Sequence, residues 1–148
     1  MKYLVIYNPV AANGTAAKRI DPVKRSLEEA GLDYTIAYTE LPGHAVDIAL
    51  EQGGEYDVLV AAGGDGTANE VVNGIMGYKE SAVQGRGIPA LGMLCVGRGN
   101  DFAFGAGIPH KLPEAVAALH ANVRKRIDVG CITGPEVEGK RYFGNGIG

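Results

Sequence analysis

The sequence predicts an α/β fold of the three-layer, doubly wound kind, built on a mostly parallel sheet. Three observations lead there. Apolar runs and helix-spaced segments alternate in the order βαβαβαβ, the pattern of a sheet whose strands are joined by crossover helices. Two of the runs, Val58 to Ala62 and Ile88 to Val96, are apolar at almost every position, which suits strands covered on both faces. Glycine makes up 23 of the 148 residues without any repeat that would suggest collagen. The glycines gather at the ends of the apolar runs, where α/β folds make their functional turns.

Taken in order, Lys2 to Tyr7 is a short apolar strand, stopped by Asn8-Pro9, and Val10 to Thr15 is a loop of small residues. Pro22 leaves two readings of the next segment. Either a helix from Thr15 is kinked, or the main helix starts with Asp21 as N-cap and Pro22 at its first position. The local sequence suits the second, with Val23, Leu27 and Ala30 along one face and Gly31 as the stop. Asp33 to Thr39, rich in β-branched and aromatic residues, predicts a second strand. Leu41-Pro42-Gly43 turns the chain into a helix over 44–52, with Ala45, Ile48 and Ala49 inward.

Asp57 to Ala62 predicts the third strand. Gly63 to Thr67 comes next as a tight turn whose three glycines allow positive φ and close approach of a ligand. Thr67 to Met76 predicts a helix with Val71, Val72 and Ile75 toward the sheet, closed by Gly77. A polar loop from Tyr78 to Gly87 precedes the fourth strand, Ile88 to Val96, and a second glycine turn, Gly97 to Phe102. Pro113 to His120 predicts a further helix. Arg124 to Thr133 and the stretch from Arg141 to Gly148 predict two more strands, too few to close a second sheet. The expectation is therefore a piece of a longer protein. A natural 148-residue protein with an added hairpin is the alternative.

Composition narrows the function classes. A net charge of −3 with no basic block gives nucleic acid no electrostatic footprint. No apolar run approaches the ~20 residues that cross a bilayer. The N-terminus lacks the long apolar core and small-residue cleavage site of a signal peptide and reads as a first strand; the expected location is the cytoplasm, with peripheral membrane contact. Cys95 and Cys131 lie far apart in apolar surroundings and read as reduced core thiols. His44, His110 and His120 share no metal-binding spacing.

Ligands of doubly wound sheets lie beyond the carboxyl ends of the strands. Three loops are candidates: Asn8 to Gly14, Gly63 to Thr67, and Gly97 to Asp101. Whether they are neighbours depends on strand order. Gly63-Gly64-Asp65-Gly66-Thr67 lacks both the Lys-Ser/Thr pair of a Walker A loop and the G-x-G-x-x-G order of a dinucleotide fingerprint. It offers backbone N–H groups at a helix start, which suit phosphate, together with the Thr67 hydroxyl and the Asp65 carboxylate. Asp65 could hold Mg²⁺, bind a ribose hydroxyl or accept a proton from an attacking alcohol. The plainer account is a turn in which Asp65 caps its helix and Thr67 supports it. Asn69 and Glu70 come next on the first turn, where Glu70 favours the helix dipole and both are close enough for ribose or metal contacts. Arg98 is either a cation for phosphate or a solvated surface arginine, and Asn100 or Asp101 is a candidate N-cap.

Asn8-Pro9 after the first strand, Gly-Gly-Asp-Gly-Thr-x-Asn-Glu-Val-x-Asn-Gly over 63–74, and Gly-x-Gly-Asn-Asp-Phe-Ala over 97–103 together resemble the catalytic domain of diacylglycerol kinases. The wider group includes bacterial lipid kinases, sphingosine kinases and, more remotely, NAD kinases and phosphofructokinases. The Asn-Asp-Phe-Ala stretch followed by Gly107-Ile108-Pro109 favours the lipid-kinase side. The sequence departs from the family at two places: Arg98 stands where Thr or Ser is frequent, and Phe104 where a basic residue is frequent.

The resemblance implies an ATP site completed by Mg²⁺, using Asn8, Asn13, Gly14, Thr39, Gly63, Gly64, Asp65, Gly66, Thr67, Asn69, Glu70, Gly97, Arg98 and Asn100. Asp65 resembles the family's essential aspartate, and Asp65→Ala in the intact protein is expected to abolish transfer with little loss of folding. It also implies a division into a nucleotide-binding domain over 1–130 and the start of a truncated β-sandwich domain over 131–148. The lipid acceptor, peripheral membrane contact and a homodimer belong to the same expectation. The rival readings are an NAD kinase, a nucleotide-binding module without catalysis and a plain dinucleotide-binding α/β domain, the last disfavoured by the missing G-x-G-x-x-G.

Overall fold

The computed structural model of the protein describes residues 1–81 and 87–144. Parts of the predicted loop over 78–87 and of the last predicted strand lie outside the described residues.

Four parallel strands form the main sheet: β1 (Lys2–Tyr7), β2 (Asp33–Tyr38), β3 (Val58–Gly63) and β4 (Ala90–Cys95). Their order is β2-β1-β3-β4. The order reverses direction at β1, so the switch point lies between β1 and β3, where ligands of such sheets sit. Pairing places Tyr7 level with Tyr38 and Ala62, and Gly63 level with Cys95. The residues just past the strands, Asn8, Thr39, Gly64 and the loop entered at Val96, therefore share one rim.

β1 and β3 alternate their side chains between two cores, as the two-residue strand period demands. Leu4, Ile6, Leu59 and Ala61 meet α2 (His44–Gln52), α3 (Asp65–Ser81) and α4 (Asp101–Ala106) on one face. Tyr3, Val5, Tyr7, Val58 and Val60 meet α1 (Ile20–Glu29) and α5 (Leu112–His120) on the other. The fold is thus the predicted three-layer α/β sheet. Gly74 lets α2 and α3 touch, since a Cβ there would overlap Ala49 and stand 2.6 Å from the Val46 carbonyl oxygen. An antiparallel hairpin, β5 (Gly130–Gly134) and β6 (Val137–Phe143), forms a separate two-stranded sheet.

Several local expectations change. Thr15–Arg19 is a 3₁₀ turn, and α1 begins at Ile20. Asp21 is therefore inside the first turn rather than at its cap, and Pro22 takes the third helical position, where its missing N–H has no intrahelical partner to lose. α3 starts at Asp65 rather than Thr67 and continues past Gly77 to Ser81. Positive φ occurs at Gly14, Gly31, Gly43, Gly107 and Gly139 among the described glycines, not at 63, 64 or 66. Gly63 and Gly64 serve close approach instead, and Gly66 stands in open space. A short helix, α4, comes directly after the second glycine turn, and residues 123–129 of the predicted strand have no regular secondary structure, the strand β5 beginning at Gly130. Cys95 is buried but Cys131 is exposed on the hairpin, so only one of the two cysteines is a core thiol.

Candidate functional site

The three predicted loops meet. Asn8 lies just past β1 and donates its backbone N–H to the Ala62 carbonyl at 2.9 Å, tying the end of β1 to the end of β3. Its Oδ1 accepts the N–H of Val10 at 3.1 Å, and its Nδ2 donates to Thr67 Oγ1 at 3.1 Å. One side chain thereby fixes the first loop and reaches the first turn of α3. Thr67 is 5% exposed, and its hydroxyl occupies the space that any side chain at residue 63 would fill. Gly63 is the condition for that placement.

The two glycine turns pack backbone against backbone. A Cβ on Gly97 would lie 2.6 Å from both Cα and N of Gly64, and one on Gly64 would lie 3.0 Å from the Gly99 carbonyl oxygen. The Gly97 N–H donates to Gly63 O and the Asp65 N–H to Gly99 O, each at 3.0 Å. Side chains here would wedge the turns apart, so the contact between loops accounts for the glycine content.

Asp65 accepts the N–H of Phe102 at its Oδ1 (2.9 Å) and that of Asp101 at its Oδ2 (3.1 Å). These are the first two N–H groups of α4. The plain alternative, Asp65 capping a helix, is thus real, but the helix it caps is α4 rather than its own. Asn100 sits at the N-cap position of α4 without making a side-chain cap. Asp65→Ala would leave these two N–H groups without their acceptor, a cost to set against the expectation that it spares folding.

Glu70 has a similar structural task. Its Oε1 accepts the N–H of Gly43 at 3.1 Å and its Oε2 that of Ala45 at 3.3 Å, capping α2. The N-termini of α2 and α4 are each held by a carboxylate from α3. The start of α3 itself is different: among the described residues, the N–H groups of Gly66 and Thr67 meet no acceptor. Gly66 is exposed, with nothing within 4 Å of where its Cβ would be. That end of α3 is open to an incoming anion.

The other predicted residues fall around this centre. Ala12, Asn13 and Gly14 have φ of 53°, 57° and 83°, three left-handed residues in a row. Such backbone is costly at the two that are not glycine. Thr39 lies just past β2 and donates its N–H to Tyr7 O at 2.9 Å. Arg98 is exposed on the second turn. Asn69 and Asn100 each bury a side-chain Oδ1 that has no hydrogen-bond partner.

Two residues that carry the geometry had no clear signal in the sequence. Arg19 donates from Nη1 to Cys95 O at 3.1 Å, bringing a cation from a residue 76 positions away to the end of β4. Burial raises the Cys95 thiol above its ordinary pKa, the Asp65 charge adds to the rise, and Arg19 opposes it. Asn73 belongs to the long glycine motif but grips the hairpin rather than the rim. It donates to Tyr142 O at 2.8 Å and accepts from Tyr142 N at 2.9 Å.

Among the described residues no three His, Cys, Asp or Glu side chains form a metal cage. No described helix is long and apolar enough to cross a membrane.

Known proteins are similar to this chain in sequence and fold. The profile of the diacylglycerol kinase catalytic domain matches residues 2–132. A diacylglycerol kinase of Bacillus subtilis (strain 168) is 36% identical over 132 residues, 88% of this chain and 41% of the relative. A diacylglycerol kinase of Staphylococcus saprophyticus is 35% identical over 144 residues, 95% of this chain and 42% of the relative. The crystal structure of a diacylglycerol kinase from Bacillus anthracis str. Sterne superposes with a TM-score of 0.70 at 29% identity, over 86% of this chain and 42% of that one. The chain thus spans about two-fifths of the length of these relatives. With a profile match over nearly its whole length, on a sheet whose glycine turns and Asp65 lie together, the chain belongs to the diacylglycerol kinase catalytic domain family.

Proposed function

We propose that this chain forms the nucleotide half of an ATP-dependent lipid kinase, which passes the γ-phosphoryl group of ATP to the hydroxyl of a diacylglycerol-like lipid. The observation that carries the reading is the rim where Asn8, Gly64, Thr67 and Gly97 meet, with the start of α3 open while α2 and α4 are capped by Glu70 and Asp65. Unpaired N–H groups at a helix start, lined by glycine, suit the phosphates of a nucleotide. Arg98 and Arg19 are the nearby cations. On this reading residues 1–130 are the nucleotide-binding unit and the hairpin from 131 opens the acceptor side. Contact with the membrane surface would bring the lipid to it.

The residues suit Mg²⁺ carried by the nucleotide. Mg²⁺ typically takes one or two carboxylates plus substrate phosphates rather than a protein cage. Asp65 is such a carboxylate, fixed in orientation by two N–H donors and still holding free lone pairs. The buried oxygens of Asn69 and Asn100 want a donor, since an unpaired buried acceptor costs about 1–3 kcal/mol. A ribose hydroxyl or a metal-bound water supplies one. Bound Mg²⁺ would neutralise phosphate charge. The chain's own part is to hold the phosphates at the α3 start and to orient the attacking hydroxyl toward them, positioning being most of phosphoryl-transfer catalysis.

The test has two arms. Titration calorimetry of Mg²⁺–ATP into the 148-residue chain is expected to show one site, lost in Gly66→Asp, which puts a charge at the open helix end. Transfer of labelled phosphate by the whole protein is expected with diacylglycerol micelles and absent with NAD as acceptor. Transfer to NAD alone would favour the NAD-kinase reading. Binding without transfer to any acceptor would favour the non-catalytic module.

A further inference from the structure

The hairpin is fastened to α3 at two points. Near the middle of the helix, the Asn73 carboxamide pairs with both backbone groups of Tyr142, at 2.9 and 2.8 Å, as a neighbouring strand would. Toward the C-terminal end, Glu80 Oε1 accepts the Tyr142 hydroxyl at 2.5 Å and the Lys140 ammonium at 2.6 Å. Tyr142 is 8% exposed and belongs to the same core cluster as Val71, Val72 and Phe102.

These contacts give β6 a direction. Lys140 lies at Glu80, Tyr142 pairs with Asn73, and a Cβ on Gly144 would overlap the ring of Phe102. The Phe102 N–H is bound by Asp65. Asn73 is about 12 Å from Asp65 along the helix and Glu80 about 10 Å further, at 1.5 Å per residue. The strand therefore runs against α3 and arrives at the candidate crevice. The spacing of Asn73 and Glu80, seven residues, puts both on one face of the helix.

We propose that Asn73 and Glu80 are positioning residues, a two-point clamp that aims β6 at the crevice and sets Gly144 against the Phe102 ring. The functional side of this inference rests on the kinase reading: the clamp would set where the acceptor side stands relative to the nucleotide. Packing alone does not account for the arrangement. A buried apolar contact needs no carboxamide matched to both groups of one residue. Replacement of Asn73 by its isostere Asp would keep the shape, but would turn a carboxylate toward the carbonyls of Asn69 and Tyr142, which now accept from Nδ2.

Amide hydrogen exchange on the 148-residue chain at neutral pH tests it, with β1 and β3 as internal references and the Mg²⁺–ATP Kd measured in parallel. Asn73→Ala and Asn73→Asp are each expected to speed exchange at the Tyr142 amide at least tenfold, with β1 and β3 unchanged. Tyr142→Phe, which leaves α3 untouched, is expected to loosen the hairpin more mildly, and the nucleotide Kd to stay within about twofold of the parent in all three. Unchanged Tyr142 exchange in Asn73→Ala would overturn the clamp. So would protection in Asn73→Asp equal to that of the parent, or equal acceleration in β1, β3 and the hairpin, which would give Asn73 a general role in the core. A parent chain that binds no nucleotide would remove the kinase reading while the exchange result still decides the clamp.

Discussion

The carboxylate of Asp65 holds the backbone N–H of Phe102 at 2.9 Å, so the aspartate of the first glycine turn is the cap of the helix beyond the second. Two loops brought together by strand order are locked by one side chain. Any effect of changing Asp65 on activity is therefore mixed with an effect on the placement of α4.

Asp65→Ala should lower stability by about 1–2 kcal/mol, the usual cost of a lost helix cap. Asp65→Asn, which keeps one acceptor oxygen, should lose less. Urea denaturation measures both. If Asp65 also serves the nucleotide, the two variants should lose Mg²⁺–ATP affinity to a similar extent despite their different stabilities. Affinity that tracks stability would reduce Asp65 to a cap.

Gly97 and Gly66 should respond in opposite ways to alanine. A Cβ at residue 97 would meet backbone atoms of Gly64 at 2.6 Å, and backbone gives way poorly. Gly97→Ala should cost at least about 2 kcal/mol, at the level of serious overpacking. Gly66 lies in the first turn of α3, without positive φ and with open space around it. Gly66→Ala should stabilise the fold by about 0.4–1 kcal/mol through the unfolded state while weakening nucleotide binding by crowding the phosphates. Thermal unfolding and calorimetry separate the two effects.

The contrast shows how far the sequence was legible. Apolar runs located β1, β3 and β4, because a buried parallel strand leaves an unbroken signature, as Val58 to Ala62 does, while the half-exposed edge strand β2 showed through its β-branched and aromatic residues. Glycine clusters located the rim. The purpose of each glycine was not legible: Gly64 and Gly97 answer to a contact between loops that only strand order creates, and Gly63 to the Thr67 side chain four residues on. Glu70 and Asp65 look from their local sequence like residues of their own helix start, yet each caps a different helix. Arg19 and Asn73 act across 76 and 69 positions, and no local pattern reports such partners.

Thr67 is the place to test the joint between β1 and α3. Thr67→Val keeps the shape, removes the hydroxyl and leaves Asn8 Nδ2 without its acceptor. A loss of about 1–2 kcal/mol is expected, in the range for an unsatisfied buried donor. Thr67→Ser should restore most of it. Urea denaturation of the two variants against the parent reads the difference. Equal stability of Thr67→Val and the parent would show that the bond contributes only geometry.

Attachment of the hairpin should depend on pH at both ends of the scale. The Lys140 ammonium and then the Tyr142 hydroxyl, both bound to Glu80, hold its carboxyl below the ordinary value, with Lys79 adding to the pull. A lowered carboxyl contributes stability above its unfolded pKa and loses it as pH falls through the folded one. Tyr142 is pushed up to about 12, first by its bond to Glu80 and then by burial, with the neighbouring Cys131 contributing. Lys140 is raised as well, chiefly by Glu80. Groups raised in this way contribute below their unfolded pKa and lose it as pH rises through the folded value. Tyr142 protection, corrected for the intrinsic pH dependence of amide exchange, should therefore be level from about pH 5 to about pH 10, near the ordinary carboxylate and phenol values, and fall on either side. Glu80→Gln should flatten the acid side and return the phenol toward its ordinary pKa, which absorbance titration would detect. An acid limb that persists in Glu80→Gln would mean that another carboxylate holds the hairpin.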